Sequence, residues 1–144
     1  MGREVKFRAR TKRSPLIGRK GISETKTVYG MPYNVEMTKI RDRDGYQHHV
    51  KKETVGQFTG FRDKNGSEIF EGDILSELVE TDEGPKTSYC QVFWNKAKGA
   101  WHLDLSFKQD MKRSQDLWFE LNESEYEISG NIHEPSKNRN VWQQ

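Results

Sequence analysis

Four histidines and a single cysteine are the most chemically versatile side chains of this 144-residue chain, and their spacing limits what they can do. His48 and His49 are adjacent, so on a strand their rings face opposite sides and cannot share a metal. His102 and His133 are distant in sequence, and Cys90 stands alone, which rules out an intrachain disulfide and a cysteine-rich zinc cage. The histidines therefore read as exposed side chains, and no metal or other cofactor is expected. Cys90 lies beside Val92 in a strand-like run and reads as a buried structural thiol. No residue is nominated as the base that a nucleophilic cysteine needs. Asp63-Lys64-Asn65-Gly66, followed by Glu68 and Glu71, has the oxygen ligands of a calcium loop without the spacing. An EF-hand loop places glycine at position six and glutamate at twelve, whereas Gly66 falls at position four. A hairpin turn explains the same residues. No Gly-x-Ser-x-Gly elbow, phosphate loop, dinucleotide fingerprint or His-Glu-x-x-His motif is present, so the chain reads as a non-enzyme.

The charge distribution offers a binding chemistry instead. The first twenty residues carry Arg3, Lys6, Arg8, Arg10, Lys12, Arg13, Arg19 and Lys20 against Glu4 alone. Basic arms neutralise phosphates and release counterions, so Arg8, Arg10, Lys12, Arg13, Arg19 and Lys20 are the candidate nucleic-acid contacts. A solvated face, or an arm that meets the acidic C-terminal half, explains the same residues. Residues 1–58 hold 14 basic and 6 acidic side chains, and 59–144 hold 10 and 16. Such asymmetry bears on partners and not on fold. Phe93, Trp94 and Trp101 could offer stacking platforms for bases, although core packing is the favoured role for large aromatics in so small a chain.

Composition sets the frame for these side chains. Apolar and charged residues each make up 32%, which is polar for a globular domain. The net charge of +2 and the seven Phe, five Tyr and four Trp argue for a folded core with polar loops. No apolar run approaches the roughly 18 residues of a membrane span, and the N-terminus lacks the apolar stretch of a signal peptide. A soluble, cytoplasmic protein that does not contact membrane is expected.

The elements that must carry these residues are short strands. Val5, Phe7 and Ala9 alternate with charged residues, the period-two pattern of a half-buried strand. Thr11 to Lys26 reads as a long mobile loop. Thr27 to Val35, interrupted by Gly30 and Pro32, reads as an edge strand or a bulge, and Arg41 to Gly45 as a turn. Gln57–Arg62 and Ser67–Phe70 flank the Asn65-Gly66 turn as a first hairpin. Ile74–Val79 follows as a strand and Thr81–Ser88 as a polar loop. Tyr89–Trp94 and Ala100–Leu105 then form a second hairpin. Residues 106–116 read as a short helix or long loop, and Leu117–Leu121 and Glu125–Ile132 as short strands. Val92, Trp101, Leu103, Ile74 and Ile128 are expected inside. Closely spaced turns between short strands favour a small barrel or sandwich.

Lys6-Phe7-Arg8-Ala9, Val28-Tyr29-Gly30, the block from Val55 to Gly66, Glu71-Gly72-Asp73-Ile74 and the closing Gly130-Asn131-Ile132-His133-Glu134 follow one another across nearly the whole chain. In these segments the sequence resembles the YopX family of small phage and prophage proteins. The basic stretch from Lys12 to Lys26 is its departure from that pattern. The resemblance implies a mainly β, β-rich α+β fold, with an SH3-like antiparallel barrel in the C-terminal part and an irregular, strand-containing N-terminal part. It implies a phage-borne gene and brings no biochemical activity, so it assigns no catalytic residue. Three segments are expected: a basic N-terminal region (1–52), a YopX-like barrel (53–134) and a polar tail (135–144). The leading functional reading is a phage or prophage accessory protein acting in the host cytoplasm as a non-enzymatic interaction module, with a host or phage protein as partner. The alternative is nucleic-acid binding through the basic arm, and a third reading is an inhibitor that presents the acidic half as a decoy.

Overall fold

The structure, a computed structural model, describes residues 4–12, 25–105 and 113–134. The chain divides into two compact units, Met1–Phe58 and Thr59–Gln144, and is mainly β with antiparallel sheets.

In the first unit, β1 (Phe7–Arg10) pairs with β2 (Thr27–Pro32), β2 with β3 (Lys39–Arg41), and β3 with β4 (Gln47–His49), each antiparallel. The N-terminal part thus carries more regular structure than its glycines, proline and charges implied. The sheet curls back toward its start: Thr11 bridges Val50, the Lys12 N–H donates to the His49 carbonyl, and the Lys51 N–H donates to the Arg10 carbonyl. A single 3-10 turn, Lys52–Thr54, leads into β5 (Gly56–Arg62), whose start pairs with β1. Inside the curl, Ala9, Val28, Ile40 and Val50 form one cluster, flanked by Phe7 and Val55. Period-two alternation puts these side chains on one face and their sequence neighbours on the other.

Strand β2 was expected at an edge, yet it lies between β1 and β3. Gly30 explains how: a Cβ there would collide with the Arg41 carbonyl oxygen. The missing side chain lets the next strand approach.

The second unit begins with the hairpin of β5 and β6 (Glu68–Phe70). Its turn is closed by the Asp63 N–H on the Ser67 carbonyl and the Gly66 N–H on the Asp63 carbonyl, with Gly66 at φ +83°. A type I turn followed by a left-handed glycine is a standard hairpin solution. A five-stranded sheet follows in the order β10 (Ser114–Asp116), β9 (Ala100–Asp104), β8 (Gly84–Asn95), β7 (Asp73–Thr81), β11 (Glu127–Asn131). The order is linear, so the expected barrel is not closed. Ile69, Leu75, Cys90, Val92, Leu103, Leu105, Leu117 and Tyr126 form the core, with Trp101 and Ile128 packed against it.

Ser114–Asp116 is strand β10 where a short helix or long loop was expected, and two further elements differ from expectation. Residues Thr81–Ser88 are mostly strand and not loop: β7 and β8 stay paired out to Thr81 and Gly84. Beyond Glu77 and Ser88 that ladder has no neighbouring strand among the described residues, so a two-stranded ribbon there needs no apolar alternation. Pro85 is tolerated because the far side of β8 is unpaired at that point. The second difference is α1 (Leu117–Glu123), which replaces an expected strand. The Asp116 carboxylate accepts the Phe119 N–H as an N-cap, and Leu117, Glu120 and Leu121 turn one face inward. That is i, i+3, i+4 spacing, which a five-residue window hides.

Within this core the Tyr126 hydroxyl donates to Glu120 at 2.7 Å and faces Glu77 at 3.1 Å. Burial, then the Glu120 hydrogen bond, holds the phenol above its ordinary range. A raised phenol stabilises the fold at pH values below its unfolded value of about 10, and that contribution fades as pH rises past it. Tyr126→Phe should therefore lose about 1 to 3 kcal/mol at neutral pH and show a shallower alkaline loss of stability in denaturant melts. Gly66→Val should cost about 1 to 3 kcal/mol through backbone strain. Gly30→Ala should cost more, since it collides with backbone; equal melting temperatures for Gly30→Ala and the wild type would contradict the β2–β3 approach.

Candidate interaction surface

The face of the first sheet opposite Ala9, Val28 and Ile40 is built by the alternate residues. Register pairs Arg8 with Tyr29, Arg10 with Thr27, Met31 with Arg41 and Lys39 with His49. Tyr29, Met31 and Tyr33 follow at every second position, with 49%, 46% and 39% of their surface exposed. These side chains are partly exposed while small residues fill the core. Arg41 lies over the Tyr33 ring, its guanidinium carbon 5.0 Å from the centroid, and the Tyr33 hydroxyl donates to Gln47 at 2.8 Å. Guanidinium stacking on an aromatic ring keeps the cation flat and oriented. No carboxylate occupies the outward positions of β1 to β4.

Acidic residues lie in the connections between the strands, the exposed Glu36 between β2 and β3 and Asp42 and Asp44 in the β3–β4 turn, where Asp42 has a structural task. Asp42 accepts the Asp44 and Tyr46 N–H groups and lies 2.8 Å from His48 Nε2. The His48 hydrogen bond holds the Asp42 carboxyl below its ordinary range. A depressed carboxylate contributes stability that is complete above the unfolded value and is lost as pH falls through the folded one. Asp42→Asn should consequently lower the melting temperature at neutral pH and converge with the wild type as the pH drops below about 4.

The basic candidates are placed unequally. Arg8 is 9% exposed. Arg10 spends its guanidinium on the Thr27 hydroxyl and on the Thr25 hydroxyl and carbonyl, at 2.9, 2.9 and 3.3 Å. Lys12 is exposed. Arg13, Arg19 and Lys20 lie outside the described residues. The structure therefore shows Arg10 as a strand-to-strand tie as much as a cation, and it adds Lys39 and Arg41, which sequence reasoning missed, to the same face.

The remaining reactive side chains are structural or isolated. Cys90 is buried in the second core. His102 is buried with Nδ1 3.1 Å from the Ser114 hydroxyl and 3.5 Å from the Asn95 amide. These bonds tie β9 to β10 and to the end of β8. Asp63 accepts the Asn65, Ser67 and Ile128 N–H groups, so its oxygens close the turn and anchor β11. Among the described residues no group of three or more His, Cys, Asp or Glu side chains could hold a metal. Trp94 is exposed and packs edge-on to Trp101 at 5.0 Å between centroids. Of the aromatics expected in the core, Trp101 is placed there and Trp94 is not. No helix among the described residues is long and apolar enough to cross a membrane.

Comparison with known families identifies the chain. The family model described as YopX protein matches residues 6–138. The chain belongs to the YopX family. No curated protein and no solved structure matches it. The matched range runs from the start of β1 past the end of β11, so the outward face of the first sheet lies within what the YopX model describes. The segments in which the sequence resembles that family map onto β1, β2, β5, the Asp63–Gly66 turn, the start of β7 and the end of β11. Many of those positions are fold determinants, and several, Tyr29 and Ile132 among them, are exposed.

Proposed function

We propose that this YopX-family chain is a non-enzymatic interaction module, an accessory protein of phage or prophage origin that works in the cytoplasm of its bacterial host. One observation carries the reading. The outward face of β1 to β4 presents Tyr29, Met31 and Tyr33 to solvent beside Arg41, without a carboxylate among its strand positions. Exposed aromatic side chains with arginine are the composition that binding surfaces favour. By contrast, the buried polar side chains Asp63, Thr54, Glu120 and Asn131 are engaged in turns, caps and strand ties.

The test is capture from host extract by the intact chain, compared with a Tyr29→Ser, Met31→Ser double variant and with Trp118→Ser, an exposed aromatic of the second unit. Material that is captured by the wild type and by Trp118→Ser, but lost on the face variant, supports the assignment. Capture that survives the face substitutions and fails with Trp118→Ser moves the surface elsewhere.

A further inference from the structure

The same face specifies the chemistry of its occupant, and the inference rests on the surface reading above. Arg10, Tyr29, Met31, Arg41 and His49 take outward positions on four strands, with Met31 paired to Arg41, and Tyr33 continues the alternation just past β2. Cations interleave with flat side chains. Tyr29 and Tyr33 are four residues apart along β2 and its continuation, about 13 Å at roughly 3.3 Å per residue. That separation lets the two rings take different bases of one strand, with its backbone passing the cations between them. Unpaired bases expose π faces that stack on tyrosine without regard to sequence, whereas a duplex buries them. Arg41 over Tyr33 already forms the kind of flat cation and ring pair that a base can extend, with its charge near a following phosphate. An acidic peptide would use the charges and leave the two rings without a stacking partner.

We infer that the outward face of β1 to β4 binds a single nucleic-acid strand, with Tyr29 and Tyr33 stacking bases and Arg41 and Lys39 neutralising phosphates. This places recognition on the sheet and leaves the basic stretch before it a supporting role.

The probe is a labelled oligodeoxythymidine of about 12 nucleotides, within the roughly 4 to 16 that small β domains occupy. Fluorescence anisotropy is read on the intact chain over a salt series. The wild type should bind with affinity that falls as salt rises, and Tyr33→Ala and Tyr29→Ala should each weaken binding roughly 5- to 100-fold. Trp118→Ser, an exposed aromatic outside the face, should retain binding, and unchanged thermal melts of the two alanine variants serve as the folding control. Arg41→Gln should flatten the logarithmic salt slope by about 0.7, the contribution of one phosphate on a single strand. Matched duplex should bind more weakly than the single strand, and poly-glutamate should not displace it.

The inference is overturned if the oligonucleotide does not bind, if duplex binds more tightly, or if both alanine variants bind like the wild type. It is also overturned if affinity disappears only when Arg13, Arg19 and Lys20 are replaced by alanine. Loss of capture from nuclease-treated extract in the face variant, with no oligonucleotide binding by the wild type, would keep the surface and reject the nucleic-acid occupant.

Discussion

The first unit depends on how little it has to bury. Its core is a single inward side chain from each of four short segments, Ala9, Val28, Ile40 and Val50, and three of the four, the alanine and the two valines, are among the smaller apolar residues. So thin a layer is held because the chain after β4 returns to β1 and satisfies its backbone groups at Arg10 and Lys12. Every alternate residue is then turned away from the core by the pleat. A strand that buries Val28 and lets Gly30 admit its neighbour must present Tyr29 and Met31 outward. The chemistry of the outer face is thus a consequence of the same register that closes the inner one.

The second unit solves a different problem. Its core contains large apolar side chains and also Tyr126, whose hydroxyl is supplied with carboxylate partners by α1 and β7. Asp63 gathers three backbone N–H groups from its own turn and from the start of β11. Buried polar groups stabilise only when paired, and here the pairing joins segments far apart in sequence. Residues that look chemically equipped in a sequence, an aspartate beside asparagine and glycine or a histidine near a serine, are in this unit the fasteners of strands. That is a physical reason to seek function on the exposed face of the first unit.

Much of the strand pattern was legible. Ala100–Leu105 alternates cleanly and forms β9, and the Asn65-Gly66 turn closes the hairpin it announces. The helix at Leu117–Glu123 was not, because seven residues hold barely two turns and their apolar positions fit a strand equally well. The ribbon at Gly84–Ser88 was hidden because backbone ladder bonds hold it and its side chains carry no alternation. Gly30 and Pro32 pointed to an edge strand, and the close approach that makes Gly30 necessary comes from Arg41, which only the fold brings near. The outer face itself had a signal, aromatic or apolar residues at 29, 31 and 33. It was eclipsed by the stronger charge signal of the first twenty residues, in which Arg8 proves buried and Arg10 bonded to Thr25 and Thr27.

The central claim is that the first sheet's outward face is the surface at which this YopX chain meets its ligand. Amide chemical-shift mapping by NMR during titration with a single-stranded oligonucleotide tests it most directly, because it reports location without any substitution. The account predicts the largest shifts at residues 29–33, 39–41 and 47–49, with the hairpin of β7 and β8 and helix α1 unmoved. Shifts concentrated at 77–88 or 117–123, with 29–33 silent, would contradict it.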